Sequence, residues 1–254
     1  MSRLNKRQKR MLRQEGVLDE NARFRNFNLR SDIKPMTDTQ QDAWDSWADG
    51  YHLFLHGIAG TGKTFIAMYL ALNEVFSGSQ YEDSEYDERL YQKVYIVRST
   101  VPSREQGFMP GTQKQKEAVY EEPYVDIGNK LFGRKDAYDL LKQRDKVEFR
   151  STSFLRGCTF ENCILIVDEC QNMADNELHT VMTRVGENCK IIFCGDVKQD
   201  DLTSERKKEV SGLRDFMRVI RNMKEFDFIE FMAEDIVRSA LVKSYIIERD
   251  RLGL

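Results

Sequence analysis

The chain has no Cys-x-x-Cys pair, no apolar run of membrane-spanning length, and no apolar stretch behind its charged first residues. Each absence removes a class of protein. A spanning helix needs about 20 consecutive apolar residues, and a secretory leader needs an apolar segment after its basic start. Neither is expected. The five cysteines (Cys158, Cys163, Cys170, Cys189 and Cys194) are odd in number and mostly sit in or beside strand-like runs. They read as small buried hydrophobes of a reducing, cytoplasmic compartment, not as a disulfide framework or a zinc site. Net charge is lacking too: 39 Lys and Arg face 42 Asp and Glu, a balance of -3. No global attraction to nucleic acid follows from that. The charge is unevenly spread, because residues 1–30 hold nine Lys or Arg against three acids. This basic extension, 1–32, reads either as a helix docking on a nucleic-acid backbone or as a solvated tail.

What is present is enough apolar material, 41% of 254 residues, for one large α/β domain, placed at 33–254. Its organising stretch is residues 56–64, His-Gly-Ile-Ala-Gly-Thr-Gly-Lys-Thr. Gly57, Ile58, Ala59, Gly60, Thr61, Gly62, Lys63 and Thr64 satisfy the phosphate-loop pattern Gly-x-x-x-x-Gly-Lys-Ser/Thr at every fixed position. A strand-like run precedes it (Leu53, Phe54, Leu55) and a helix-like run, 65–72, follows. Backbone amides and the positive end of that helix suit phosphate oxygens. Lys63 suits the β- and γ-phosphates, and the Thr64 hydroxyl suits Mg²⁺. Upstream, Thr37 or Asp38 caps a helix predicted through Trp47. Gln40 at its start has an amide that matches the donor and acceptor pattern of adenine.

A second signal is Cys163-Ile164-Leu165-Ile166-Val167-Asp168-Glu169, a continuous apolar run that ends in two carboxylates. It predicts a fully buried strand with charge at its carboxyl edge. Asp168 suits the outer shell of Mg²⁺, and Glu169 suits a base for water attacking the γ-phosphate. Residues 190–199 repeat the design, with Asp196 and Gln199 placed to sense the γ-phosphate. Further strands are predicted at 94–97, 147–151 and 226–231, and helices at 113–131 (bent or interrupted near Pro123), 135–144, 211–223 and 235–252. Arg238 lies near the start of the last. The segment after the 94–97 strand carries Arg98, Arg104 and Phe108. It suits a single-stranded nucleic-acid backbone with a stacking ring, or equally a plain crossover loop with Phe108 packed inward. Residues 154–157 read as a hairpin tip bearing Arg156.

Taken together these residues resemble the PhoH-like family of phosphate-loop ATPases, relatives of the ATPase core of superfamily 1 helicases. The resemblance runs from about Pro35 to the last helix. It rests on Pro35-Met36-Thr37-x-x-Gln40, the phosphate loop, Arg98 with Gly107-Phe108-Met109-Pro110-Gly111, Phe154-Leu155-Arg156-Gly157, Asp168-Glu169-Cys170-Gln171-Asn172, Gly195-Asp196-x-x-Gln199 and Asp235-Ile236-Val237-Arg238. The sequence departs from the family at Cys170 (usually Ala), Ile58 (often Pro) and Cys158 (usually Arg). The resemblance implies a three-layer RecA-like fold with a mainly parallel sheet, in which the strand ending at Cys194 lies between the phosphate-loop strand and the Asp168 strand. It implies ATP and Mg²⁺ as cofactors, Lys63, Glu169 and Gln199 around one γ-phosphate, and single-stranded nucleic acid as partner, RNA favoured over DNA. Small versions of this kind are familiar from phages, so bacterial or phage-infected cytoplasm is the expected location.

One phosphate loop and about 60 residues after the core strands leave no room for a second RecA-like domain. A homo-oligomeric ring, hexameric in expectation, in which a neighbour donates the arginine finger therefore follows, with Arg238 the first candidate and Arg206 the second. Two other classes compete. A phosphate-loop kinase needs an Arg-rich lid, and none is visible. A nucleotide-switched binding module would bind without appreciable hydrolysis.

Overall fold

Branched and aromatic residues in short runs bounded by polar turns become strands where helices cover both faces of a sheet. The computed structural model describes residues 27–76, 90–100, 113–155, 157–196 and 212–252. Six strands are found among them: β1 (His52–Gly57), β2 (Lys93–Arg98), β3 (Val147–Ser151), β4 (Cys163–Asp168), β5 (Cys189–Gly195) and β6 (Phe226–Phe231). They form one sheet in the order β3-β2-β4-β5-β1-β6, with every pairing parallel. The strand ending at Cys194 and Gly195 does lie between β1 and β4, as expected of a RecA-like sheet.

Alternation along the central strands sends side chains to two cores. Leu53, Leu55, Ile164, Ile166, Ile192 and Cys194 pack on one face under α1 (Asp38–Ala48), α2 (Lys63–Phe76), α3 (Gln113–Phe132) and α4 (Ala137–Gln143). Phe54, Leu165, Val167, Ile191 and Phe193 pack on the other under α5 (Asp175–Met182) and α6 (Leu213–Ile220). The result is three layers. All six residues of β4 are buried, the continuous burial that its apolar run predicts.

Local chemistry sets several boundaries. Thr37 caps α1 by accepting from the Gln40 amide. The helix expected to bend or break at Pro123 is not interrupted there. Residues 27–33 pack on the domain: Phe27 is buried and stacks on Phe132 at 4.4 Å, and the Arg30 amide donates to the Leu131 carbonyl at 2.9 Å.

Two expectations are corrected. Residues 154–157 are no hairpin tip, because β3 pairs in parallel with β2, and β2 stands between β3 and β4. A single 3-10 turn, Thr152–Phe154, leads off β3 instead, and Leu155 is buried beyond it. The last helix does not start at 235. A 3-10 turn, Ala233–Asp235, is followed by extended backbone, and α7 spans Ala240–Arg251. Arg238 sits on the connector. The Asp235 carboxylate accepts from the Met232 amide and turns the chain there.

At the opposite end of the sheet from the phosphate loop, Lys190 is buried. Its ammonium donates to the Trp47 carbonyl at 2.7 Å and lies 3.6 Å from the Trp47 ring centre. Burial pushes its pKa down to about 8, against an opposing pull from Glu74. In the unfolded chain a lysine holds its proton to about pH 10.4. Below pH 8 both states are protonated and the burial penalty is fully present. Between pH 8 and 10 the unfolded state binds the extra proton, so this term raises stability with pH. Urea unfolding of wild type and Lys190→Met at pH 7 and pH 10 is expected to show the variant losing ground by on the order of 3 kcal/mol as pH rises. A pH-independent difference contradicts this account of Lys190.

Candidate nucleotide site

The phosphate loop leaves β1 at Gly57 and enters α2 at Lys63. Gly57 has φ of +113°, and a Cβ built there would stand 2.1 Å from the Phe231 carbonyl oxygen. The next amide, Ile58, donates to that same carbonyl at 3.0 Å. Strand β6 therefore presses directly on the base of the loop, and only a residue without a side chain fits. Two further ties hold the loop. The Val237 amide donates to the Gly60 carbonyl at 3.2 Å. The buried Gln40 amide donates to the Thr61 carbonyl at 3.0 Å and accepts from the Met36 amide at 2.8 Å. Gln40, expected to face adenine, thus joins α1 to the loop while lining the same cavity. Inside the loop, the Lys63 ammonium donates to the carbonyls of Gly57 and Ile58 at 2.7 and 2.8 Å. Burial pulls its pKa down, and Asp196, Cys194, Glu169 and Asp168 pull the other way.

The carboxylates arrive from β4, two strands away. Asp168 is 4% exposed. Its Oδ1 accepts from the Thr64 hydroxyl at 3.0 Å and its Oδ2 accepts from the Tyr124 hydroxyl of α3 at 2.8 Å. Burial first, and the neighbouring Glu169 second, push its pKa up to about 6; Tyr124, Arg98 and Thr64 oppose the rise. Glu169 has a left-handed backbone, φ 53° and ψ 41°, which re-aims the chain just past the strand. Gln171 donates from Nε2 to Glu169 at 2.6 Å, and its Oε1 accepts the Asp196 amide at 3.1 Å. The ends of β4 and β5 are thereby tied through one side chain.

These groups line one cavity of about 690 Å³, a common size for a small-molecule site. Gly60, Gly62, Lys63 and Thr64 form one side and Asp168 and Glu169 another. Ile33, Met36, Trp44, Pro123 and Ile127 add apolar lining suited to a base. Arg98 and Arg238 also line it. Arg98, expected on a strand-binding loop, is the register partner of Asp168 across β2 and β4, which is why it points at the carboxylates instead. Arg238, expected to act on a neighbouring copy, packs beside Gly60 of its own chain: a Cβ on Gly60 would meet the Arg238 Cγ at 3.2 Å. The connector anchored through Val237 places it there. Gln199, Arg104, Phe108, Arg156 and Arg206 lie outside the described residues.

The donor set suits a hard divalent cation. A hydroxyl and a buried carboxylate lie 3.0 Å apart, and a buried carboxylate with a second, partly buried one beside it calls for positive charge. No group of three or more His, Cys, Asp or Glu able to hold a metal occurs among the described residues. The Thr64 hydroxyl and the Asp168 carboxylate fit Mg²⁺, which takes one or two protein ligands and fills the rest with phosphate oxygens and water. The five thiols are free.

Fold and site define a phosphate-loop nucleotide-binding protein. The chain belongs to the PhoH-like protein family, whose profile matches residues 32–248. It is 32% identical over 199 residues to the PhoH-like protein of Synechocystis sp., covering 78% of this chain and 56% of that one. To Protein PhoH of Escherichia coli K12 it is 32% identical over 191 residues, 74% of this chain and 50% of that one. The chain thus spans about half the length of these relatives. Solved structures similar to it include the large terminase of a thermophilic bacteriophage (TM-score 0.46, 10% identity, 84% of this chain and 50% of that one) and the Pif1 helicase of Candida albicans (TM-score 0.43, 13% identity, 87% and 44%).

Sequence reasoning missed Tyr124, Val237 and the apolar lining of the cavity. Tyr124 carries no motif and its partner is 44 residues away. Gly57→Ala tests the contact of β6 with the loop. It is expected to lower the unfolding free energy by on the order of 3 kcal/mol and to abolish nucleotide binding, measured by denaturation and by fluorescence titration with a labelled ADP. A variant of wild-type stability contradicts the close approach.

Proposed function

We propose that this protein is a Mg²⁺-dependent ATPase whose turnover is coupled to single-stranded nucleic acid, RNA in preference to DNA, and that it works as a homo-oligomeric, hexameric ring in the cytoplasm. The observation that carries the ATPase reading is the convergence of Lys63, Thr64, Asp168 and Glu169 on one cavity. Lys63 binds and neutralises the β- and γ-phosphates. Thr64 and Asp168 would hold the metal, which supplies charge neutralisation to the phosphoryl oxygens. Glu169 orients the attacking water and takes its proton. Arg238, on the chain that holds the phosphate loop, stabilises the charge that develops on the γ-phosphate. An assembly of copies is supported by α7, which has no buried residue and exposes Leu241, Val242 and Tyr245.

A second reading, a nucleotide-controlled switch with little hydrolysis, draws on the Gln171 bond to Glu169. That bond occupies one oxygen of the proposed base. Steady-state phosphate release with and without short RNA and DNA oligomers separates the two. A switch gives negligible release under all three conditions, and an ATPase gives release that RNA raises most.

Two variants sharpen the assignment. Glu169→Gln is expected to retain ATP while lowering turnover by about 10²–10⁴-fold. Turnover within tenfold of wild type removes the general-base role. Arg238→Ala, if Arg238 acts as an arginine of this type does, loses about 10³–10⁵-fold. Because Arg238 acts within its own chain, mixing Lys63→Ala and Arg238→Ala subunits is expected to restore no turnover. Recovery in the mixture would show that the arginine works on a neighbour. A sedimentation profile of monomer alone, with ATP analogue and full activity, removes the ring.

A further inference from the structure

The nucleotide site has a participant that no phosphate-loop motif contains. Tyr124 comes from the middle of α3 and is fully buried. Its hydroxyl reaches across the cavity wall to Asp168 Oδ2 at 2.8 Å, while Thr64 engages Oδ1 at 3.0 Å. Both oxygens of the carboxylate are therefore fixed, from opposite sides and by different helices. A phenol is suited to this. It donates one hydrogen bond to the anion and adds no charge, so the carboxylate keeps its full negative charge for a cation. A lysine at the same place would neutralise it. The Tyr124 ring packs beside Phe149 at 5.8 Å between centres, so the packing of the ring and the bond of the hydroxyl are separable by substitution.

We propose that Tyr124 is the positioning residue for the metal-binding carboxylate of Asp168, holding it in the one orientation in which it can share a cation with Thr64. The proposal rests on the ATPase reading above. Outer partners that orient a metal ligand typically change metal affinity by about 10–100-fold when removed. Tyr124 acts through Asp168 and is not among the residues that line the cavity.

The test uses Tyr124→Phe in the full chain, which keeps the ring and deletes the hydroxyl. Tyr120→Phe serves as control. Tyr120 lies one turn earlier on α3, and its buried hydroxyl has no hydrogen-bond partner among the described residues. Binding of a fluorescent ADP analogue is titrated with MgCl₂ and repeated in EDTA. Tyr124→Phe is expected to need about tenfold more Mg²⁺ for half-maximal enhancement of binding. Its affinity in EDTA should match wild type, and its turnover should recover at saturating Mg²⁺. Tyr120→Phe should follow the wild-type Mg²⁺ curve. If the Tyr124→Phe curve overlays wild type, with only the melting temperature lowered, the hydroxyl is structural and the proposal is overturned. If both variants shift equally, the effect belongs to the helix and the proposal is again overturned. If wild type itself binds nucleotide without regard to Mg²⁺, the metal-dependent ATPase reading fails, and the role of Tyr124 fails with it.

Discussion

Two adjacent carboxylates at the end of a wholly buried strand are unstable unless the surroundings answer their charge. Much of the local architecture is that answer. Asp168 receives hydroxyl donors from α2 and α3, Arg98 faces it from the neighbouring strand, and the Lys63 ammonium lies within electrostatic reach. Even so, burial and the charge of Glu169 keep the Asp168 proton affinity well above that of an ordinary aspartate. A site that holds excess negative charge against its own stability is arranged for a cation. The strained left-handed backbone at Glu169 belongs to the same arrangement, since it turns the second carboxylate away from the sheet and into the cavity.

The parallel sheet explains why these groups meet. All six strands end on one edge, so every loop that follows a strand opens onto the same side. The order β4-β5-β1 puts the carboxylates, the Gly195 turn and the phosphate loop side by side, although the loop is more than a hundred residues from the other two in the chain. Strand β6 adds two things from the far side. Its last carbonyl supports the base of the loop, and the connector after it delivers Val237 and Arg238 to Gly60. The arginine thereby becomes part of the pocket of its own chain.

Much of this was legible in the residues. The spacing of the glycines, Lys63 and Thr64 is a local pattern whose meaning does not depend on the rest of the fold. The continuous apolar run before Asp168 marks a strand covered on both faces, because no half-exposed strand tolerates it. Residues 154–157 failed for a corresponding reason. Turn-like composition says that a strand ends but not which strand comes next to it in space, and β2 had already taken that place. That Arg98 stands opposite Asp168 was not legible, because strand register is not a property of a residue's neighbours in sequence.

The sequence by itself determined the six strands, the phosphate loop and the identity of the two acids, since each depends on interactions within a few residues or on a period of burial. Only the tertiary structure decided that Tyr124 grips Asp168, that Gln40 and Val237 tie down the loop, and that Arg238 lines the pocket of its own chain. These contacts join residues 21 to 178 positions apart. They carry no periodic signature, because what brings the partners together is the packing of whole layers rather than any preference of the local chain.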